Sequence, residues 1–348
     1  MTDRSAIIRR KDEHLDIALR QQAGGANGFD SLVLEHCALP ELDLAEIDLA
    51  TRFLDRELAL PFLISSMTGG PERGAAINAN LAVAAEHLGI PLAVGSQRVA
   101  LEGAAQAGID AGLRRLAPGI PIWSNLGAAQ LVQGYGVDDA RRAVEMIGAD
   151  ALIVHLNPLQ EAVQPAGDRH WAGVLAALET LAVRLERPVI VKEVGYGLSG
   201  AVARRLQDVG VAAVDVAGAG GTDWAAIEAE RIADVQERQV ADAFQGWGIP
   251  TPRAIAEVRA ACPDLPVIGS GGIRHGVDAA KAIRLGADLV GQAGGVLAAA
   301  LVSAEAVVQH FETLARQLRI ACFCTGARDL PALRFVRLVT RALPLHDL

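Results

Sequence analysis

The sequence has 348 residues, with 32 Lys and Arg against 41 Asp and Glu for a formal charge of −9. That length fits one large barrel, which commonly takes about 250 residues, or two ordinary domains. At 51% hydrophobic and 21% charged the chain is not a disordered polymer, and its acidic balance excludes bulk binding to nucleic acid or to an anionic membrane, which needs a basic surface.

The opening stretch holds Asp3, Arg4, Arg9, Arg10, Lys11, Asp12 and Glu13 without an apolar core, which is not the pattern of a signal peptide. The four cysteines, Cys37, Cys262, Cys322 and Cys324, form no Cys-x-x-Cys pair, so free thiols in a reducing compartment are expected. From residue 61 onward, short β-rich apolar runs alternate with stretches of helical periodicity, the signal for parallel βα units. The runs are Pro61–Met67, Pro91–Gln97, Pro121–Gly127, Ala151–Asn157, Pro188–Val194, Ala212–Gly218, Pro266–Gly272 and Ala287–Ala293, with starts 30, 30, 30, 37, 24, 54 and 21 residues apart. Five begin with Pro, whose missing N–H is tolerated at the first position of a strand. Between them Ala75–Leu88, Asp138–Ile147, Val174–Leu185 and Thr251–Ala261 read as helices, the last opened by Thr-Pro. The late apolar run Leu289–Ala304 is broken by Gln292 and falls short of the roughly 18 residues of a membrane span, so a soluble, cytoplasmic protein is expected.

Eight such units predict an α/β fold with a single (β/α)8 TIM barrel over residues 61–304, an N-terminal extension (1–60) and a C-terminal helical tail (305–348). A doubly wound open sheet is the rival, but no Gly-x-Gly-x-x-Gly follows the first strand. Polar residues gather where the strands end, the face on which barrel enzymes assemble their sites. Ser270-Gly271-Gly272-Ile273-Arg274 after the seventh strand and Gly294-Gly295 after the eighth occupy the usual phosphate position of such barrels, where glycine amides and a helix N-terminus can meet an anion. Lys192 ends the fifth strand, where a lone ammonium is costly unless it faces an anion or an electron-rich ring; it reads as a Schiff-base nucleophile or as a cation beside a flavin. His155 and Asn157 share a face at the fourth strand's mouth, with Gln160 and Glu161 following on the loop. Glu161 fits a hard cation such as Mg²⁺, which takes one or two carboxylates and otherwise water and substrate phosphate. By spacing alone, Arg9-Arg10-Lys11-Asp12-Glu13-His14 is a solvated helix start. The 54-residue step from strand six to strand seven, with Trp224 and Trp247, reads as a lid or subunit contact.

Taken together, Arg10-Lys11-x-x-His14, Ser66-Met67-Thr68-Gly69-Gly70, Gly95-Ser96-Gln97-Arg98, His155-Leu156-Asn157-Pro158-Leu159-Gln160-Glu161, Val191-Lys192-Glu193-Val194-Gly195 and Asp215-Val216-Ala217-Gly218-Ala219-Gly220-Gly221-Thr222 resemble the type 2, FMN-dependent isopentenyl-diphosphate delta-isomerases along nearly the whole chain. The resemblance implies interconversion of isopentenyl and dimethylallyl diphosphate by a 1,3-allylic proton shift, using reduced FMN, Mg²⁺ and NADPH as reductant, in a homotetramer or homo-octamer. It implies that Ser66, Met67, Thr68, Ser96, Asn125, Lys192, Thr222, Gly271, Gly272, Ile273, Arg274, Ala293 and Gly294 hold FMN. Arg10, Lys11, His14, Ser96, Gln97, Arg98, Asn157 and Gln160 would hold substrate, Glu161 the metal, and Gln160 with His155 would serve the proton shift. Two places depart from the family pattern: Trp123, large where a small residue commonly precedes Asn125, and the glycine-rich Gln292-Ala293-Gly294-Gly295.

Two related chemistries lack their key residue. An FMN-dependent 2-hydroxy-acid oxidase needs a His base after strand six, and none occurs between Gly218 and Pro266. An inosine-phosphate-type dehydrogenase needs a Cys in that loop, but Cys262, the one cysteine in the interval, falls in the helix before strand seven. A catalytically silent FMN-binding barrel is the remaining alternative, and intact Gln160, Glu161 and Lys192 speak against it.

Overall fold

The computed structural model describes residues 13, 14, 16, 17, 19, 20, 27–66, 72–103 and 108–341. Eight parallel strands close into a barrel: β1 (Phe62–Ile64), β2 (Leu92–Ala93), β3 (Ile122–Gly127), β4 (Ala151–Leu156), β5 (Val189–Glu193), β6 (Ala213–Asp215), β7 (Val267–Ser270) and β8 (Leu289–Gln292). Each lies inside its anticipated run. The five prolines sit immediately before their strands and give the ladder only a carbonyl: Pro61, Pro91, Pro121, Pro188 and Pro266 accept from Val290, Ile64, Leu92, Leu152 and Val214. The runs overreach at their C-terminal ends because those residues leave the ladder to form the loops of the barrel mouth.

The barrel interior is a separate apolar cluster in which Trp123 has small neighbours in register beside it, Ala93 and Ala151. Its floor is a hairpin foreseen by nothing in the sequence, Thr51–Phe53 paired antiparallel with Arg56–Leu58. Phe53 stacks on Trp123 at 5.7 Å between ring centroids, and Arg56 reaches the Gly119 carbonyl ahead of β3. The hairpin therefore seals the N-terminal end of the strands, opposite the mouth. Trp123 packs against this seal, and its bulk is accounted for by core volume.

Two matching clamps brace the same end. Gly148 and Gly286 end their helices in left-handed conformation (φ 59 and 118), and the Asp two residues later bonds an Arg from an earlier helix. Arg114 meets Asp150 at 2.6 Å, whose carboxylate also takes the Ile122 N–H; Arg259 meets Asp288 at 2.6 Å, which takes the Val267 N–H. The 20-residue helix Ala304–Phe323 packs on helices Glu72–Leu88 and Gly276–Leu285. The tail is not helical throughout: Leu338-Val339-Thr340 pairs antiparallel with Leu32-Val33-Leu34, joining the regions before and after the barrel.

Candidate active site

The mouth is built on strand register. Gly127 pairs with His155, His155 with Lys192, and Lys192 with Asp215, so one row across β3 to β6 sets these groups at one height. Lys192 is 7% exposed; its Nζ donates to the Glu193 carbonyl at 2.8 Å and lies 3.6 Å from Oδ2 of the fully buried Asp215. Asp215 also accepts from Ser270 Oγ at 2.5 Å and Ser65 Oγ at 3.3 Å. A buried ammonium with a hydrogen-bonded counter-ion is a fixed cation, which suits an electron-rich ring better than it suits an amine nucleophile. Glu193 turns the other way, and one of its oxygens accepts from the backbone N–H groups of Val194, Gly195, Tyr196 and Gly197. Burial pushes its carboxyl up to about 7 against the pull of the Tyr196, Gly195 and Val194 donors and the Lys192 charge.

Asn125 joins the ends of three strands, β1, β3 and β4. Its Nδ2 donates to Ser66 Oγ at 2.8 Å, and its Oδ1 meets His155 Nδ1 at 2.7 Å. An amide oxygen only accepts, so Nδ1 of His155 carries the proton in this arrangement. Gln97 does not reach the mouth. It is fully buried, donating to the Ala143 carbonyl at 2.9 Å and accepting from the Asn125 N–H at 2.9 Å. In this arrangement its side chain fixes the backbone of Asn125.

On the other side of the mouth a continuous polar chain connects four elements. Asn157 Nδ2 donates to Gln160 Oε1 at 3.2 Å and to Glu161 Oε1 at 3.0 Å, while Glu161 Oε2 accepts from the Asp168 N–H at 2.7 Å. Asp168 in turn binds Arg98 at 3.1 Å. Gln160 Nε2 continues the chain to Glu228 at 3.3 Å, and Glu228 meets His14 at 2.9 Å and Arg231 at 2.6 Å. Glu228 is wholly buried on the helix Trp224–Arg231 within the long β6–β7 connection. Burial opposes its ionisation, but His14, Arg231 and Gln160 outweigh that cost and hold its carboxyl below the usual range. Trp224 packs edge-on against His14 at 5.2 Å, and Glu13 pairs with Arg231 at 2.9 Å. The N-terminal segment is thus joined to the β6–β7 connection, the stretch that reads from sequence as a lid or subunit contact. Glu228 and Asp168 escaped the sequence reading because no local motif surrounds either; only the fold brings them to Gln160 and Arg98.

Ser96 and Thr222 stand half-buried on the loops after β2 and β6. Arg10, Lys11, Met67 and Thr68 lie outside the described residues. Gly271 and Gly272 adopt positive φ (105 and 68), and the N–H groups of Gly272 and Ile273 have no acceptor among the described residues. Ala293 precedes the nine-residue helix Gly294–Val302 beside them. Arg274 is spoken for: it bonds Asp30 at 2.6 Å and Asp278 at 3.2 Å, and that contact holds the Asp30 carboxyl below its ordinary value. Arg274 thus stands beside the loop's backbone amides with two carboxylate partners of its own. Open amides at one end and the fixed Lys192 cation at the other fit a flavin nucleotide. Among the described residues no group of three or more His, Cys, Asp or Glu forms a metal cage, so Glu161 fits a cation completed by water and substrate oxygens.

Comparison with known proteins decides the family. The sequence model for FMN-dependent dehydrogenases matches residues 157–339. Proteins named isopentenyl-diphosphate delta-isomerase are 63% identical in Xanthobacter autotrophicus and 64% identical in Stutzerimonas stutzeri, each covering 97% of this chain and 99% and 98% of the relative. This chain belongs to that family. A relative of the same name in Synechocystis is still 50% identical over 95% of the chain. Among solved structures, a mandelate oxidase variant with a monooxide FMN adduct superposes with TM-score 0.67 over 94% of this chain and 99% of its own, at 20% identity. A chimera of (S)-mandelate dehydrogenase gives TM-score 0.68 over 95% and 99%, at 18% identity. Those likenesses show a shared barrel fold, and the family's place among FMN proteins follows from the sequence model. No described helix is long and apolar enough to cross a membrane.

Proposed function

We propose that this chain interconverts isopentenyl and dimethylallyl diphosphate by a 1,3-allylic proton shift, with reduced FMN and Mg²⁺ at the barrel mouth and NADPH as reductant. The observation that carries the reading is the unbroken polar chain from Arg98 through Asp168, Glu161, Asn157, Gln160 and Glu228 to His14, in a chain 50 to 64% identical to named isomerases. An unactivated alkene is a weak base and its allylic C–H a weak acid, so donor and acceptor must be held in place at both ends of a three-carbon unit. When bound, reduced FMN supplies an exchangeable proton beside N5. Lys192, backed by Asp215, would supply positive charge to the bound flavin. Asn157 and Glu228 fix both ends of the Gln160 carboxamide, which faces the reacting carbons with His155. Arg98, His14, Ser96, Arg10 and Lys11 hold the diphosphate, and Glu161 holds Mg²⁺ against it. The joined N-terminal segment and β6–β7 connection exclude water from the cationic carbon centre. The working protein is a cytoplasmic homotetramer or homo-octamer.

The test is an anaerobic assay of isopentenyl diphosphate with Mg²⁺ and with FMN in either redox state. Turnover confined to reduced flavin is expected. Equal turnover with oxidised flavin, or no bindable FMN, overturns the reading.

A further inference from the structure

Three consecutive carbonyls in the loop after β7 are each held by a different buried side chain. The Gly271 carbonyl accepts from Thr251 Oγ1 at 2.7 Å, the Gly272 carbonyl from Asn27 Nδ2 at 2.6 Å, and the Ile273 carbonyl from Gln292 Nε2 at 2.7 Å. Thr251 and Asn27 are fully buried and Gln292 is 4% exposed. These residues come from three parts of the chain: the start of the helix Thr251–Ala261, the segment before the first outer strand, and the end of β8. Two of the three are themselves oriented. Asn27 accepts from the Phe29 N–H at 3.0 Å and gives its second hydrogen to Asp278 at 3.0 Å, and Gln292 Oε1 meets His310 Nε2 at 2.6 Å. Neither amide can turn over without breaking those bonds.

In a peptide unit the carbonyl fixes where the next N–H points. With the Gly271 and Gly272 carbonyls tied outward to protein, the loop presents the successive N–H groups of Gly272 and Ile273, which find no acceptor among the described residues, while the Arg274 N–H that follows the Ile273 carbonyl closes the loop on Asp278 at 3.2 Å; two open amides in a row have the form of an anion-binding nest. We infer that Thr251, Asn27 and Gln292 are positioning residues that pre-set the loop Gly271–Arg274 for the terminal phosphate of the flavin nucleotide. The inference rests on the reading of this loop as the phosphate site. Pre-setting matters because a floppy loop would lose ordering entropy on binding, a cost that a fixed loop avoids.

Riboflavin carries the same ring and ribityl chain without the phosphate, so it separates this role from general damage. The full-length apoprotein is titrated with FMN and with riboflavin, for the parent and for Thr251→Val, Asn27→Ala and Gln292→Met. Each substitution is expected to weaken FMN binding roughly tenfold, by analogy with one lost hydrogen bond to a positioned group, and to leave riboflavin affinity unchanged. Thr251→Ser, which keeps the hydroxyl, should restore FMN affinity. Parallel loss for both flavins, or unchanged FMN affinity in all three variants, overturns the inference. A parent protein that binds both flavins equally overturns the phosphate assignment itself.

Discussion

His14 Nε2 lies 2.9 Å from Oε1 of Glu228, so the N-terminal segment and the β6–β7 connection meet on one carboxylate, the same one that receives Gln160. Glu228→Gln removes the charge that His14 and Arg231 share while keeping the volume. Turnover should fall at least about tenfold, since a transition-state group loses its fixed orientation, with flavin binding unchanged. Single-turnover kinetics on the flavin-loaded enzyme checks it.

The same carboxylate gives a pH dependence. Its folded-state pKa lies below the ordinary value, so the stability it contributes is present above pH about 4.5 and is lost as pH falls through the lowered value. The melting temperature should decline more steeply on acidification in the parent than in Glu228→Gln. Identical acid limbs would show that Glu228 is not held ionised.

Removing one partner of a buried ion pair costs about 3–5 kcal/mol because the other charge is stranded. Lys192→Met should therefore destabilise the apoprotein, leaving Asp215 uncompensated. Lys192→Met combined with Asp215→Asn should recover most of that stability but none of the flavin affinity. Denaturant unfolding together with flavin titration separates the two effects.

Glu161→Gln keeps the acceptor for Asn157 and removes a negative charge. The Mg²⁺ concentration for half-maximal activity should rise about tenfold or more while flavin colour is retained. Loss of colour with unchanged Mg²⁺ dependence would place Glu161 at the flavin instead.

Phe53→Ala opens the floor of the barrel beside Trp123. A loss of about 3–5 kcal/mol in unfolding free energy is expected, with kcat unchanged because the hairpin lies at the opposite end from the mouth. A fall in kcat at temperatures where the variant is folded would mean that the floor and the mouth are coupled.

The barrel strands were legible because each is a short apolar run fixed by Pro or turn residues, and the helices Thr251–Ala261 and Val174–Arg184 because their periodicity and start signals are local. The family motifs carried Asn125, His155, Asn157, Gln160, Glu161 and Lys192 to the mouth. What stayed hidden depends on contacts between distant residues. Glu228 looks like an ordinary helix-surface carboxylate until the fold brings His14 and Gln160 to it. Gln97 sits inside a matching motif, yet its side chain turns into the wall because the Asn125 backbone and the Ala143 carbonyl satisfy it there. The hairpin around Phe53 and the strand Leu338–Thr340 are each three residues per strand, too short for alternation to stand out.

The pairing of Leu32–Leu34 with Leu338–Thr340 also bears on how the protein is made. Glu35 and Arg337, bonded beside that pairing, are 302 residues apart, so a ribosome must deliver the whole barrel before the first strand finds its partner. Until then Leu32-Val33-Leu34 is an unpaired apolar edge, open to neighbouring nascent chains on the same message. Asn27, five residues upstream, finds its partners Gly272 and Asp278 only once β7 and the helix after it have been made. The loop after β7 therefore becomes competent for the flavin late, and the nascent enzyme passes through most of its synthesis without a finished cofactor site.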